Sequence, residues 1–440
     1  MANVRHFGAA GDGTTDDTDA FEHALQEGDG LIEVPRGDYV LTRPLVVPLD
    51  KLGRFSLSGL GGQGRLVMRA AGPAVHLLGT HAGTADPTQV SDRVWSQQRF
   101  PHLEGIEIVG AHEQADGIRL EGTMQATLAR ILIRRCRVAI HLVRRNRNVI
   151  VDSCHIYHSR RLGIWLDGVN MHQINIHGCH ISYCPAGGIR VERSEVRNVQ
   201  ICSNDIEYNY DAGLEDCADV LLDARQGTIR EGTMVGNTIQ ARESKGGANV
   251  RMLAIQAPSA GAVGMWTIAG NLLGSQETVL HLVGCRGVTL TGNALYSGYR
   301  YALLAQQCQN LIVCGNSIDR NSDYPGPSTD QVAFEDCRQV VVQGTVVEHA
   351  HPGGRVEASV TLHGCENVLM TGCQILAARR RGLLIGQCRH VRIADCIVRA
   401  PAKAADYLCA AEIQNADATV SVSGSLDKGT LGDVVRSAGQ

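Results

Sequence analysis

The sequence has few aromatic residues, few prolines and no strong charge of either sign. Only 4% of its 440 residues are aromatic, 12 are Pro, and the formal net charge is −4. Nucleic-acid-binding domains usually present a basic face, so this balance predicts no nucleic-acid partner. No apolar run has bilayer-spanning length, and "MANVRHFGAAGDG" lacks the basic and apolar segments of a secretory signal. We therefore expect no membrane contact and a cytoplasmic location.

Two kinds of reactive motif are also missing. The chain contains no GxSxG nucleophile elbow and no CxxC pair with zinc spacing, which argues against a Ser-His-Asp hydrolase of that type and against a zinc site. Its 15 Cys are odd in number and are spread along the chain, so we interpret them as free thiols rather than as a disulfide framework. We predict no bound metal and no cofactor.

An eight-residue pattern recurs along the chain: apolar, any residue, apolar, any residue, small, Asn or Cys, any residue, apolar. Copies include "VIVDSCHI" (149–156), "INIHGCHI" (174–181), "VTLTGNAL" (288–295) and "LIVCGNSI" (311–318). A recurrence of a few tens of residues indicates stacked structural repeats. The sixth position forms a column: Cys154, Cys179, Asn204, Asn237, Asn271, Asn293, Asn316, Thr345, Cys373 and Cys396.

The alternation within each copy predicts short strands with one apolar face. Units this short cannot enclose a core alone, so we predict an all-β fold, a right-handed parallel β-helix in which each strand pairs with its equivalent one coil away. Asn side chains can then hydrogen-bond along the stack, and Cys fills the same position as a small hydrophobe. A second column of Cys falls at another bend, where we predict packing: Cys285, Cys308, Cys337, Cys365 and Cys388.

The N-terminal segment breaks the repeat. Asp16 or Asp17 can cap a helix that runs to about Leu25, and this helix would cover the open end of the stack. The stretch "FGAAGDGTTDDTDAF", followed by "VPRGDY", resembles the opening of the pectate-lyase-like superfamily. The resemblance implies the β-helix fold but selects no reaction, because lyases, epimerases, polygalacturonases and tailspikes share it. We predict three segments: cap, first coils and linker (1–103), β-helix core (104–418), and C-terminal cap or tail (419–440).

A narrower resemblance covers residues 270–327, "GNLLGSQETVLHLVGCRGVTLTGNALYSGYRYALLAQQCQNLIVCGNSIDRNSDYPGP". This segment is similar to the coils of inulin fructotransferases and difructose anhydride hydrolases, and the resemblance implies a homotrimer whose catalytic residues are an Asp and a Glu. Glu215 matches the position of the Glu. The position of the Asp holds Ser203, so Asp205 or Glu207 would have to take its role.

One outward position on the strand after the Asn bend collects residues suited to sugar binding. Trp offers an apolar plate for a sugar ring, and Arg offers charge-assisted hydrogen bonds. We therefore predict the floor of a saccharide groove with Glu215 at its centre. The alternative is a ladder of ion pairs on a plain surface. In chain order, the predicted substrate-binding residues are Arg119, His141, Trp165, Arg190, Arg251 and His281.

Three functions fit this pattern. The leading prediction is an enzyme that cleaves or rearranges glycosidic bonds in an oligo- or polysaccharide, with a fructan or difructose anhydride as the best guess, using Glu215 with Asp205 or Glu207. A Ca²⁺-dependent lyase acting on uronates is the first alternative. A non-catalytic glycan-binding β-helix is the second. The polygalacturonase set NTD, GHG and RxK and the DPH signature of alginate epimerases are absent.

Overall fold

The computed structural model describes residues 2–82, 86–211, 213–214, 217–241, 244–254, 261–324, 328–348, 358–402, 406–415, 417, 419–430 and 435–438. The described chain is almost entirely β-structure. It forms two compact units: unit 1 comprises residues 1–210 and 226–229, and unit 2 comprises residues 211–225 and 230–440. None of the helices in the described segments is long and apolar enough to cross a membrane.

Unit 1 carries short helices near its N-terminus and a long series of strands. The helices are the 3₁₀ segments Val4–Phe7 and Pro87–Gln89, the α-helices Thr18–Glu27 and Leu49–Leu52, and the π-helical turn Val94–Gln98. The strands are Ala2–Asn3, Asp12–Asp16, Leu31–Glu33, Gly37–Leu41, Leu45–Pro48, Ser56–Ser58, Gly64–Met68, Gly72–Leu78, His102–Glu104, Glu107–Gly110, Ala115–Met124, Thr127–Ala129, Leu132–Arg134, Val138–Asp152, His155–Tyr157, Leu162–His177, His180–Ser182, Gly187–Glu192, Glu195–Cys202 and Asp205–Glu207.

Unit 2 repeats the same kind of coil. Its strands are Ala218–Asp223, Thr228–Val235 (whose first two residues fall in unit 1), Thr238–Gln240, Ala248–Leu253, Val263–Ala269, Leu272–Val283, Arg286–Thr291, Ala294–Gln306, Gln309–Cys314, Ser317–Asp319, Gln331–Glu335, Arg338–Gln343, Val346–Val347, Val360–His363, Glu366–Thr371, Gln374–Ile375, Arg381–Gly386, Arg389–Val398, Cys409–Gln414, Ser421–Leu426 and Val435–Ala438.

Within each unit, a strand pairs in parallel with the equivalent strand one coil later. In unit 1, for example, Ile118 lies opposite Ile140, Ile140 opposite Ile164, and Ile164 opposite Ile189. All four side chains are buried, as the alternating pattern predicts. Burial of an Ile or Leu side chain stabilises a fold by about 1.5–3 kcal/mol, so these columns supply the driving force for stacking. The predicted parallel β-helix is therefore confirmed.

The N-terminal helix is also confirmed, and of the two predicted capping residues it is Asp16 that bonds to the helix. Helix Thr18–Glu27 begins after Asp17, whose carboxylate makes no capping hydrogen bond to the helix. Asp17 instead accepts hydrogen bonds from the backbone N–H groups of Ala10 and Val40, at 2.6 and 3.2 Å. Asp16 Oδ1 accepts from the N–H of Thr18 at 3.0 Å. The helix buries Phe21, which packs edge-on against Tyr39 at 5.6 Å.

The predicted Asn column forms a continuous hydrogen-bonded ladder in unit 2. Asn293 Oδ1 accepts from the N–H of Asn271 at 3.1 Å, and the N–H of Asn293 donates to Asn316 Oδ1 at 3.0 Å. In the Cys positions of this column the thiol has the same role, since in unit 1 Cys154 donates its N–H to Cys179 Sγ at 3.4 Å. None of the 15 Cys forms a disulfide, and all but Cys202 and Cys314 are buried. The predicted packing role of the second Cys column is confirmed.

Candidate active site

Four parallel strands of unit 1 carry the predicted stripe on one outward face. Arg119 lies opposite His141, His141 opposite Trp165, and Trp165 opposite Arg190. The column extends one coil earlier, where His76 lies opposite Arg119. The unit 1 part of the stripe therefore has the predicted register.

An acidic column that the sequence analysis missed runs beside this stripe. Glu121, Asp167 and Glu192 each lie two residues after a stripe position, and Val143 fills the coil between the first two. Because side chains two apart on a strand share a face, alternation was the signal that could have revealed this column. Asp167 and Glu192 lie directly opposite each other on neighbouring strands, which are about 4.8 Å apart.

The guanidinium groups of the stripe are held by this acidic column. Arg119 Nη2 lies 3.2 Å from Glu121 Oε2, and Arg190 Nε donates to Glu192 Oε2 at 2.8 Å. Arg144 adds a second ion pair to Glu121 at 2.7 Å. Arg119 and Arg190 thus make ion pairs of the kind that the alternative interpretation expected. Their contact with a substrate stays a prediction.

Trp165 also differs from its predicted role as an apolar plate. Its ring stacks on His141 with centroids 4.6 Å apart and planes 5° apart, and the guanidinium of Arg193 lies over the ring at 5.9 Å. Its Nε1–H donates to Glu192 Oε1 at 3.0 Å. With both ring partners in place, Trp165 acts here as a support that orients Glu192.

Asp167 and Glu192 are two adjacent carboxylates on this face, and basic side chains surround them. Arg193 contacts both carboxylates, reaching Glu192 Oε1 at 3.1 Å. His141 Nε2 lies 3.2 Å from Asp167 Oδ2. Glu192 is nearly buried and Asp167 is partly exposed, so the pair is partly desolvated.

Burial sets the protonation of the surrounding groups. It lowers the pKa of His141 below its ordinary value, outweighing the opposing effect of Asp167. A neutral imidazole that donates from Nε2 leaves Nδ1 as an acceptor, and this atom is buried without a partner among the described residues. Burial alone would raise the pKa of Glu121, but Arg144, Arg119 and His76 together hold it below its ordinary value.

In unit 2 the structure places Leu221 where the stripe was predicted to hold Glu215. Leu221 lies opposite Arg251, and Arg251 lies opposite His281. The paired strand begins only at Ala218, and Leu221 is 1% exposed, packed in an apolar cluster. Arg251 is therefore paired with Leu221 and not with Glu215 as the stripe predicted. Glu215 itself lies outside the described residues, so its catalytic role stays a prediction. Arg251 is buried, and its Nε donates to His281 Nδ1 at 3.1 Å.

Asp205 and Glu207 lie on a different strand of the coil from the stripe. Strand Asp205–Glu207 pairs with His180–Ser182, and Asp205 Oδ2 forms an exposed ion pair with His180 Nε2 at 3.1 Å. Their predicted catalytic role stays a prediction. Across the described segments, no three His, Cys, Asp or Glu side chains gather as metal ligands would.

Two family models match this chain. A family model described as the right-handed beta helix region matches residues 101–219 and 261–425, well over half of the chain. The chain belongs to the right-handed β-helix family. A second model, rhamnogalacturonase A/epimerase, pectate lyase-like, matches residues 1–71, where the sequence suggested that superfamily. This right-handed β-helix protein matches no curated protein.

Several solved structures are similar to this chain, and the tailspike described first shares its fold. The Dettilon tailspike protein (gp208) is similar at 14% identity and a TM-score of 0.54 over 85% of this chain and 66% of the tailspike. This chain thus spans slightly less than two thirds of that protein. The Azotobacter vinelandii mannuronan C-5 epimerase AlgE4 A-module has 12% identity and a TM-score of 0.44, covering 96% of this chain and 100% of the module. A GH87 alpha-1,3-glucanase from Streptomyces thermodiastaticus has 12% identity and a TM-score of 0.36, covering 100% and 68%.

Proposed function

We propose that this β-helix protein is a carbohydrate-active enzyme that cleaves glycosidic bonds, with Asp167 and Glu192 as its carboxylate pair. The observation that carries the proposal is their in-register placement on neighbouring strands, beside Trp165 and His141. Strand spacing sets the two backbones about 4.8 Å apart, and retaining glycosidases hold their carboxyl groups about 5–5.5 Å apart.

The contacts assign different roles to the two acids. Glu192 accepts hydrogen bonds from Trp165 and Arg190, which favour the ionised form and aim its oxygens, so it is the nucleophile that attacks the anomeric carbon. The Asp167–His141 pair acts as the general acid when it carries one added proton, which it gives to the leaving oxygen, and this donation leaves His141 neutral and Asp167 ionised. Water then breaks the glycosyl–Glu192 ester while the same pair accepts its proton.

The finer substrate assignment rests on the sequence. The segment 270–327 supports a fructan or difructose anhydride as substrate and a homotrimer as the assembly. Light scattering coupled to size exclusion measures the assembly directly, and a monomer would contradict it. A rearrangement in place of hydrolysis requires only that a sugar hydroxyl replaces water in the second step.

Product analysis tests the proposal. Wild type, Asp167→Asn and Glu192→Gln are each incubated with inulin, difructose anhydrides, polygalacturonate and alginate, with and without chelator. Loss of one catalytic carboxyl should lower kcat by at least about 100-fold while leaving the fold intact. The expected product keeps the anomeric configuration of the substrate.

Two comparisons make the test decisive. Glu121→Gln removes a neighbouring carboxylate of the same column and should retain most of the activity. Glu215→Gln distinguishes a site at Glu215 from the proposed pair Asp167 and Glu192. If Glu215→Gln loses activity while Glu192→Gln keeps normal activity, our assignment is overturned. Chelator-sensitive release of unsaturated uronides would instead establish a lyase, and no turnover on the panel would favour a glycan-binding role.

A further inference from the structure

A second outward feature of unit 1 lies at a corner away from the stripe. Five residues with left-handed backbone occupy equivalent positions in five successive coils, as the flanking pairs show. Their φ angles lie between 53° and 68°. We call this set the corner column, and its members are Phe100, Gln125, Asn148, Gln173 and Asn198.

The corner column borders two cavities. Phe100 and Gln125 line one of about 460 Å³, and Asn148, Gln173 and Asn198 line another of about 370 Å³. Four strand spacings separate the first and last members, which makes the column about 19 Å long. This length accommodates a chain of several sugar rings.

Phe100 is the exposed aromatic residue of the corner column. Its side chain is 57% exposed, and its N–H donates to the carbonyl of Met124 at 2.9 Å, which fixes the backbone at the corner. One neighbour, His102, contacts the ring edge-on at 5.8 Å. Left-handed backbone favours Asn and Gly rather than a bulky aromatic residue, so conformation does not explain Phe at this position.

The cavity at the other end of the column is lined by uncharged groups. Its seven lining residues include five amides, with Asn175 and Gln200 two residues beyond the corner, and the exposed apolar side chain of Ile150. Asn148 Nδ2 donates to Gln173 Oε1, while Asn148 Oδ1 is buried without a partner among the described residues. An amide offers both donors and an acceptor, as a sugar hydroxyl does.

We propose that the corner column binds a neutral oligosaccharide chain, with Phe100 under a sugar ring and the amides of Asn148, Gln173 and Asn198 bonded to hydroxyl groups. Apolar pockets with a few placed polar groups are typical of such sites, and aromatic rings provide their apolar surface. Asp29, Arg54 and Arg99 at the Phe100 end add polar contacts. This binding site is separate from the proposed catalytic pair and requires no turnover.

Calorimetric titration of the full chain tests the proposal. The Glu192→Gln background prevents turnover, and the probes are inulin-type fructohexaose, maltohexaose, cellohexaose, xylohexaose and, as the charged comparison, hexagalacturonate. We expect at least one neutral hexaose to bind, with Phe100→Ala weakening Kd by about tenfold or more, as truncation of an aromatic anchor does. Gln173→Ala should weaken the same Kd by about threefold to tenfold.

Matched controls come from unit 2. Met265 is 64% exposed and also has positive φ, and Gln339 is an exposed amide with positive φ. Met265→Ala and Gln339→Ala should leave the Kd unchanged. The proposal is overturned if none of the neutral hexaoses binds, if hexagalacturonate binds more tightly, or if control and test variants weaken binding equally. It also fails if Phe100→Ala alters only self-association, because the face would then be a subunit contact.

Discussion

Replacement of Asn293 by Ala removes one rung of the buried ladder in unit 2. Asn293 Oδ1 accepts from the backbone N–H and the side-chain Nδ2 of Asn271, at 3.1 and 2.9 Å. Its Nδ2 donates to the carbonyl of Ile268 and to Asn316 Oδ1, both at 2.9 Å. The side chain therefore connects three coils and is itself buried.

One backbone group loses its partner in the Ala variant and determines the cost. Asn271 Nδ2 keeps its bond to the carbonyl of Met234, and Asn316 Oδ1 keeps the N–H of residue 293. The carbonyl of Ile268 loses the Asn293 donor but stays in the parallel pairing with Arg286–Thr291, whereas the N–H of Asn271 loses its acceptor. A buried group left without a partner costs about 1–3 kcal/mol, so we expect a loss of about 2 kcal/mol.

Urea denaturation and hydrogen exchange measure this loss. Because stacked repeats can unfold in parts, the exchange rate of the Asn271 amide is the local readout and should rise strongly. Asn293→Cys should cost about half as much as Asn293→Ala, since a thiol accepts the equivalent N–H at Cys179. The exposed Ser317→Ala, on the strand that follows Asn316, should change stability by less than about 0.5 kcal/mol. A loss below about 1 kcal/mol, with the Asn271 amide still protected, would refute the ladder's role.

Two further predictions concern buried ionisable groups. Burial raises the pKa of Asp330 to about 7, although Ser328 and the N–H of Gly298 donate hydrogen bonds to its carboxylate. The carboxyl group therefore stabilises the fold fully at pH values below its ordinary pKa. This contribution is lost as the pH rises towards 7. Between pH 4 and 8, Asp330→Asn should therefore lose less thermal stability than wild type, and the two losses should differ by at most about 4 kcal/mol. Equal losses in the two proteins would contradict this prediction. Under native conditions iodoacetamide should modify Cys202 and Cys314 first, and rapid labelling of a buried thiol, seen by peptide mass mapping, would contradict the packing described.

The fold could be predicted because each coil repeats the same physical demand. A buried bend position needs a small side chain that satisfies the backbone one coil away, so Asn and Cys recur there at every coil. The inward columns are equally visible, because Ile118, Ile140, Ile164 and Ile189 keep the same phase relative to that bend.

The site was harder to predict because register is lost where coils carry insertions. The motif "GLED" (213–216) matches the repeat in composition, yet strand pairing begins at Ala218 and Leu221 takes the outward position. The neighbouring strand determines that Leu221 is the residue opposite Arg251, because Ala248 and Leu253 form an apolar cluster into which Leu221 fits. A single sequence does not reveal this tertiary preference.

The ion pairs of the stripe could have been read from the sequence. Arg119 and Arg190 match a substrate-binding stripe in type and direction, and the residues two positions further along the same strands are Glu121 and Glu192. Side chains two apart on a strand share a face, so each Arg has an acid beside it. A list of outward residues needs this second column before roles are assigned.

The acidic column offers two carboxylate spacings, and the configuration of the product distinguishes them. Asp167 and Glu192 are one coil apart, which suits retention, whereas Glu121 and Asp167 are two coils apart, about 9.6 Å, which approaches the spacing of inverting enzymes. In an inverting reaction Glu121 would be suited to the base rather than the acid, because Arg144 and Arg119 keep its pKa low despite its burial. Glu192 faces Asp167 across a single strand spacing, and Arg193 contacts both groups. The proposed Asp167–Glu192 pair therefore predicts a product of retained configuration, and an inverted product would assign the reaction to Glu121 and Asp167.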